Sequence, residues 1–497
     1  MKIIVFIRNR LLSIVSGFLS LIILFALVVV YRSISFDQVD DAQRLENKAE
    51  YLNRLQSSAD SDPAAPNIVF ILYDDMGYGD IGAGAVGSEM INTPNIDQLA
   101  ERGVVLSDFY SPAPVCTPSR AGFLTGRLAA RAGLPEVTYP AGSARYYIHV
   151  AYATLMSSPM FNVRLPSDEI TLADVLGAAG YATGMVGKWH LGDISPSLPN
   201  DMGFDSFYGA LYSNDLTPFE LYRNTTVDIA APVDQRQLSE IYTREANAFI
   251  EQHEDEKFFL YLAHNFPHDP LSVRPERSGK SDAGLFGDVL EELDEGVGEI
   301  IATLERTGNL DNTLIIISSD NGPWFLGDAG NHRGRKGNTF EGGMRVPFIA
   351  YWPGVIEGGN VEPAMAMGTD LLPTILDILN LPGPIDRVLD GRSILDVLTT
   401  GAESPHEYLY YYDGEILFAV RDQQYKYRAS AGVFYATDQW KWPLGAPIQQ
   451  KEWLFDLQGD RRESYDTSDR HPEELQRLRG VFDDKVREME FNQRGWN

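Results

Sequence analysis

From residue 67 onward the chain alternates short apolar runs with longer amphipathic stretches. Residues 67–73 (NIVFILY) are apolar almost throughout, as a strand buried on both faces requires. Residues 181–186, 258–263 (FFLYLA) and 314–318 (LIIIS) read the same way. Between them, residues 93–102 and 237–253 have helical patterning, and Leu285, Val289, Leu293, Val297, Ile300 and Leu304 keep to one helical face. Thr93 is the expected N-cap of the first of these helices, Pro94 suits its first turn, and Gly103 suits its stop. Ser167, Asp168 and Glu169 are expected to open another helix that runs to Gly180. Strands alternating with helices predict an α/β domain over residues 67–404, with a large, mixed, mostly parallel sheet flanked by helices. Beyond it, residues 408–412, 417–421 and 425–428 are short and aromatic, and residues 472–491 form a charged helical stretch. Residues 405–497 therefore read as a small C-terminal antiparallel-sheet domain closed by a terminal helix.

The N-terminus has a different texture. Residues 11–31 run for 21 positions without a charge, enough to span a bilayer as a helix. Lys2, Arg8 and Arg10 precede this run, and Asp37, Asp40 and Asp41 follow it, so the positive-inside bias carries the rest of the chain across the membrane. No A-x-A cleavage site follows. Residues 1–35 are thus a membrane anchor with the main domain on the periplasmic side; the alternative is a cleaved signal releasing a secreted or periplasmic protein. Residues 36–66 are polar and acidic, with helical spacing at 42–55, and read as a stalk and linker.

Composition adds constraints. The 497 residues suit one large domain plus a small one, and 24 Tyr and 24 Phe can fill a sizeable core. The net charge of −29 repels polyanions and argues against a nucleic-acid partner. An anionic ligand would need concentrated positive charge at its site. One cysteine excludes an intramolecular disulfide, and a lone cysteine is most often a small buried hydrophobe.

The chemistry-bearing residues follow the predicted strands. The first strand ends in Asp74-Asp75, the second at Lys188-Trp189-His190, the third at His264 and His268, and the fourth at Asp320-Asn321. In open α/β sheets the ligand site lies outside the carboxyl ends of the strands. Singly, Asp-Asp is usually a cap and Asp-Asn-Gly a turn; together at one edge they form a site. Asp74, Asp75, Asp320 and Asn321 make an all-oxygen set suited to a hard divalent cation, calcium or magnesium.

Cys116-Thr117-Pro118-Ser119-Arg120 opens a short predicted helix, whose N-terminus would lower a thiol pKa. Yet a soft thiolate beside a hard cation is an odd pairing for an ester or amide hydrolase. C-T-P-S-R followed by A-x-x-L-T-G-R resembles the signature of the formylglycine-dependent sulfatases, an arylsulfatase A-like branch with the alkaline phosphatase-like fold. From about residue 67 the family's motifs follow in order: NIVFILYDDMGYGD, TPNIDQLAERG, CTPSRAGFLTGR, GYATGMVGKWHLG, YSND, HNFPHDP, SDNGP and GRKGNTFEGGMRVPFIAYWPG. DGRSILDVL and EWLFDLQGDRRESY resemble its closing segments.

That resemblance implies a sulfuric ester hydrolase whose Cys116 is oxidised to formylglycine by a maturation enzyme. One hydroxyl of the aldehyde hydrate attacks sulfur and expels the alcohol; the second then loses its proton and sulfate is eliminated, dividing one displacement into two steps. It further implies that Asp74, Asp75, Asp320, Asn321 and the residue at 116 hold calcium, with magnesium the second choice. Arg120 and Lys188 would hold the formylglycine and the metal ligands, His190 would act as base, and His268 would protonate the leaving alcohol. Lys336 and, in YSND, Ser213 would contact the sulfate, which is carried by a small molecule or a saccharide. Arg120, Lys188 and Lys336 would supply the positive charge that an acidic protein needs.

Some features stay open. His264 is equally a substrate ligand or a satisfied packing residue, His332 a bystander, and His149, His253, His406 and His471 surface residues. Residues 136–163 depart from the family pattern, as a substrate-lining loop or a membrane-contacting insertion. A phosphodiesterase or phosphonate monoester hydrolase of the same superfamily, and a catalytically inert, membrane-tethered binding protein, are the competing classes.

Overall fold

The structure is a computed structural model that describes residues 2–35, 40–58, 65–82, 87–156, 162–429 and 452–497. Its centre is a sheet of ten strands among the described residues. In spatial order these are Asn360–Glu362, Val104–Leu106, Phe348–Tyr351, Thr313–Ser319, Asn67–Tyr73, Phe258–Ala263, Ala182–Lys188, Ser206–Ala210, Leu221–Arg223 and Thr226–Ile229. The strands from Thr313–Ser319 through Ser206–Ala210 pair in parallel, while antiparallel strands extend both sides, so the sheet is mixed and mostly parallel at its core.

Strand Asn67–Tyr73 is buried along its whole length because it feeds two cores. Ile68, Phe70 and Leu72 face one and Val69, Ile71 and Tyr73 the other, the period-two alternation of a strand with helices on both sides. Helices Pro94–Arg102, Leu238–Gln252 and Gly284–Arg306 cover one face, and Cys116–Thr125, Leu172–Ala178 and Leu371–Ile378 the other.

Local chemistry altered one expected cap and one expected helix start. The Thr93 hydroxyl donates to Asp97 at 3.0 Å instead of capping the backbone. Gly103 is extended, and its need for glycine is steric: a Cβ there would lie 2.2 Å from the Ala350 carbonyl. The helix expected from 167 begins at Leu172, because Thr171 and Asp174 form a reciprocal capping box. Asp168 and Glu169 are drawn instead into ion pairs with Arg494, and Glu169 also with Arg127.

The C-terminal unit is a four-stranded antiparallel sheet, Leu409–Asp413, Ile416–Arg421, Tyr425–Arg428 and Trp453–Asp456, under the helix Pro472–Phe491. The helix buries Leu478, Phe482 and Met489 against it.

The stalk reading of 36–66 needs revision, with 36–39 and 59–64 outside the described residues. Helix Ala42–Ser58 lies on the main domain with Tyr51 and Leu55 in the core, and Lys48 donates to the Glu169 carbonyl at 2.8 Å. Helix Lys2–Ser35 contains a stretch, Arg10–Arg32, long and apolar enough to cross a membrane, and nearly all of it is exposed. Near its end Val29 packs on Tyr146 and Val150 of helix Ala144–Met156, within the atypical 136–163 segment, of which 157–161 lie outside the described residues.

Candidate active site

Four adjacent parallel strands end at one edge, so groups about 70 to 250 positions apart in sequence meet there. Asp75 leaves its strand at φ 68°, and His190 turns at φ 61°. Such left-handed conformations in non-glycine residues cost roughly 1–3 kcal/mol and persist where surrounding structure enforces them.

Cys116 begins the helix Cys116–Thr125, all ten residues of which are buried. Lys336 Nζ lies 3.3 Å from its Sγ and 2.7 Å from Asp75 Oδ1. Asp74, Cys116 and His268 present potential ligand atoms within 4.8 Å of one another. Arg120, wholly buried, donates from Nε to Asp320 at 2.9 Å and from Nη1 to the Lys188 carbonyl at 2.8 Å. Lys188 binds Asp74 and reaches the Ser213 hydroxyl at 3.3 Å. Ser213 lies 3.5 Å from the His268 ring, and that ring is 3.8 Å from Asp75. Asn321 Nδ2 donates to Asp75 at 2.7 Å, and the Asp75 amide donates to Asp320 at 3.2 Å.

The electrostatics follow from this packing. Burial opposes ionisation of Asp74, but Lys188, His268, Arg120 and Lys336 outweigh it and hold its carboxyl well below the usual range. Asp320, buried and facing Asp74, is pushed up to about 7. Burial, with Asp74 adding, pushes the Cys116 thiol up to about 12, reversing the lowering expected at a helix N-terminus. Burial alone would favour a neutral Lys336, yet Asp75 and its neighbours hold it charged. An unmodified thiol here is therefore a poor nucleophile.

The acidic cluster suits a metal. Carboxylate oxygens of Asp74, Asp75 and Asp320 lie within 4.8 Å of one another. Asp74 Oδ1 and Asn321 Oδ1 are buried without a hydrogen-bond partner, and a hard divalent cation would satisfy both.

His190 sits at the margin of this network. Its Nε2 lies 3.1 Å from the Thr138 carbonyl, and its Nδ1 is buried without a partner. Burial, then Lys188 and Arg120, holds it far below the ordinary histidine range. Thr138, at the start of the atypical segment, carried no signal in the sequence. Asn214 was likewise missed as an individual: its amide donates to the His268 and Pro270 carbonyls at 3.5 and 3.1 Å and steadies that loop. The YSND motif was its only signal.

His264 does not enter the site through its side chain. It stacks on Tyr73 at 5.4 Å and meets Tyr242 edge-on, and burial pushes its pKa down to about 3. His332 lies against Tyr78 with Nδ1 at the Arg461 carbonyl, outside the network. His406, expected at the surface, is buried 2.8 Å from Asp370.

A family model described as Sulfatase matches residues 66–381, and one described as N-sulphoglucosamine sulphohydrolase, C-terminal, matches residues 332–479. Arylsulfatase A of Homo sapiens is 37% identical over 402 residues, covering 73% of this chain and 74% of that protein. N-acetylgalactosamine-6-sulfatase of Mus musculus is 35% identical over 415 residues, covering 78% and 76%. Among solved structures, the PsFucS1 sulfatase from Pseudoalteromonas sp. matches with a TM-score of 0.74 at 27% identity, covering 91% of this chain and 95% of that one.

Proposed function

This chain belongs to the sulfatase family and is a sulfuric ester hydrolase, and from that premise we propose that it cleaves a sulfate monoester with a formylglycine hydrate made from Cys116 and a bound calcium ion. The observation that carries the reading is the meeting of Lys336, Cys116 and Asp75 within hydrogen-bonding reach at the sheet edge. Burial pushes the Cys116 thiol up, which disfavours ordinary thiolate chemistry at this sulfur.

Asp74, Asp75, Asp320 and Asn321 would hold the cation, together with the side chain at 116. When bound, such an ion polarises the nucleophile and offsets sulfate charge. Arg120 binds Asp320 and Lys188 binds Asp74, which holds those carboxylates in place. Lys336 and Ser213 bind sulfate oxygens, concentrating positive charge where negative charge develops. His268, between Ser213 and Asp75, is placed to give the departing alcohol its proton. His190, held neutral by its surroundings and fixed by Thr138, is placed to accept the proton released in the second step.

The substrate carries its sulfate on an aryl or saccharide alcohol, the two classes that the relatives' names describe. A maturation enzyme acting on Cys116 and delivery across a membrane complete the reading. Residues 1–35 serve as an anchor or as a cleaved signal, with residues 67–404 catalytic and 405–497 accessory.

The test pairs intact-protein mass with turnover. Conversion lowers the mass at Cys116, and converted protein should hydrolyse 4-nitrophenyl sulfate in preference to a matched phosphodiester. A phosphodiester preference, or turnover by fully unconverted protein, defeats the proposal.

A further inference from the structure

Next to the ligand set stands a feature that neither fold nor mechanism has used. After Asn321 the chain runs through Gly322 and Pro323 to Trp324, Phe325 and Leu326, which are 37%, 52% and 57% exposed. Isolated exposed apolar residues are ordinary, but three in succession on a chain of net charge −29 are costly unless they meet something. The loop is also held firmly. Arg335 donates to the Trp324 and Gly327 carbonyls at 2.7 and 2.6 Å, and the Asp328 amide to Asp80 at 2.6 Å. The Trp324 and Phe325 rings brace each other edge-to-face at 4.5 Å.

Its position follows from one backbone bond. The Lys336 amide donates to the Pro323 carbonyl at 3.0 Å, while the same residue's Nζ lies 3.3 Å from Cys116 Sγ. Trp324 thus directly follows the residue whose carbonyl is bonded to the backbone of the sulfate-side lysine, which sets its loop beside the site. The cations and carboxylates inside have use for the sulfate only. In an in-line displacement the alcohol lies on the side away from the nucleophile and extends out of the buried site, so the groups that select it belong to exposed segments flanking that site.

Resting on the sulfatase reading, we propose that Trp324, braced by Phe325, is a specificity-determining platform that stacks a ring of the departing alcohol, selecting cyclic alcohols, sugar or aryl, over linear ones. A pinned aromatic face loses little freedom on contact, and a ring presents a flat apolar face without freezing a flexible chain. Trp324 touches no reacting atom in this scheme; it positions the alcohol.

The test uses full-length, Cys116-converted protein with cyclohexyl sulfate and hexyl sulfate, two esters of similar size and leaving-group chemistry. Wild type should favour the ring in kcat/KM. Trp324→Ala should raise KM for cyclohexyl sulfate about tenfold, the scale of one aromatic contact, with kcat nearly unchanged and hexyl sulfate little affected. Trp324→Tyr should restore most of the loss, and inhibition by inorganic sulfate should be the same in all three proteins. An unchanged KM in Trp324→Ala overturns the platform alone. A parallel weakening of sulfate inhibition also overturns it, by showing that the loop merely supports Lys336. Converted wild type that cleaves neither these esters nor 4-nitrophenyl sulfate overturns the sulfatase reading and the platform with it.

Discussion

Two buried clusters of charge lie within ten residues of each other along the chain, one around Lys336 and one around Glu341, and they are built on opposite principles. Both oxygens of Glu341 are filled: Oε1 takes Lys426 at 3.0 Å and Tyr411 at 3.0 Å, and Oε2 takes Tyr110 at 2.7 Å and Arg345 at 3.1 Å. Its amide donates to Glu463 at 2.6 Å, and Arg345 continues to Asp108 at 2.7 Å. This network joins the C-terminal sheet to the main domain and leaves neither oxygen of Glu341 open. The cluster at the sheet edge instead crowds three carboxylates together and leaves oxygens of Asp74 and Asn321 without partners. A saturated network holds structure together, whereas an unsaturated one is poised to take a ligand.

Single substitutions should draw the sharpest distinction between the two clusters. Cys116→Ala should abolish sulfate release, a loss on the order of 10^5-fold, with thermal stability unchanged in calorimetry. Asp320→Asn should also remove activity yet leave the protein folded: it weakens the ion pair with Arg120 but relieves repulsion with Asp74, so its melting temperature should fall less than that of Glu341→Gln. Glu341→Gln should do the reverse. It leaves buried cations facing one carboxylate fewer, costing about 3–5 kcal/mol, visible as a lower melting temperature, while activity per folded molecule stays within about twofold. Loss of catalysis in Glu341→Gln without loss of stability would erase the distinction.

Cation removal sharpens it further. Chelation should lower the melting temperature of wild type, and added calcium should restore it, with a stabilisation of about 2.7 kcal/mol at a hundredfold excess over Kd. Glu341→Gln should keep that response and Asp320→Asn should lose it.

An effect confined to acid pH concerns a buried group in neither cluster. His264 is neutral when folded, with its pKa pushed down to about 3 by burial, whereas an unfolded histidine titrates near 6.5. The unfolded chain therefore binds the extra proton first, and the stability that neutral His264 contributes is present above pH 6.5 and lost progressively as pH falls toward 3. His264→Phe should flatten that part of the stability–pH curve. An unchanged slope would show that the imidazole is not neutral and packed.

Much of this was legible because it is local. Asp74-Asp75 follow an apolar run that can only be a buried strand, and C-T-P-S-R has a pattern independent of packing. The role of His264 was undecidable from its neighbours, since a strand-end histidine points into the site or beneath it depending on which rings it meets. His406 read as surface because Asp370, 36 positions away, gives no local sign. Helix Ala42–Ser58 read as a stalk because its apolar docking residues are few, Tyr51 and Leu55 with Leu52 beside them, in an otherwise polar stretch.

By itself, then, the sequence determined the elements, the chemistry-bearing strand ends and the identity of the residue at 116, because periodicity and covalent adjacency set these. Tertiary structure alone decided that the thiol is pushed up and not down, that Thr138 fixes His190, and that the loop leading to Trp324 is bonded to the Lys336 backbone. Each depends on burial and on distances between segments remote in the chain, and those exist only once the sheet has brought its strand ends together.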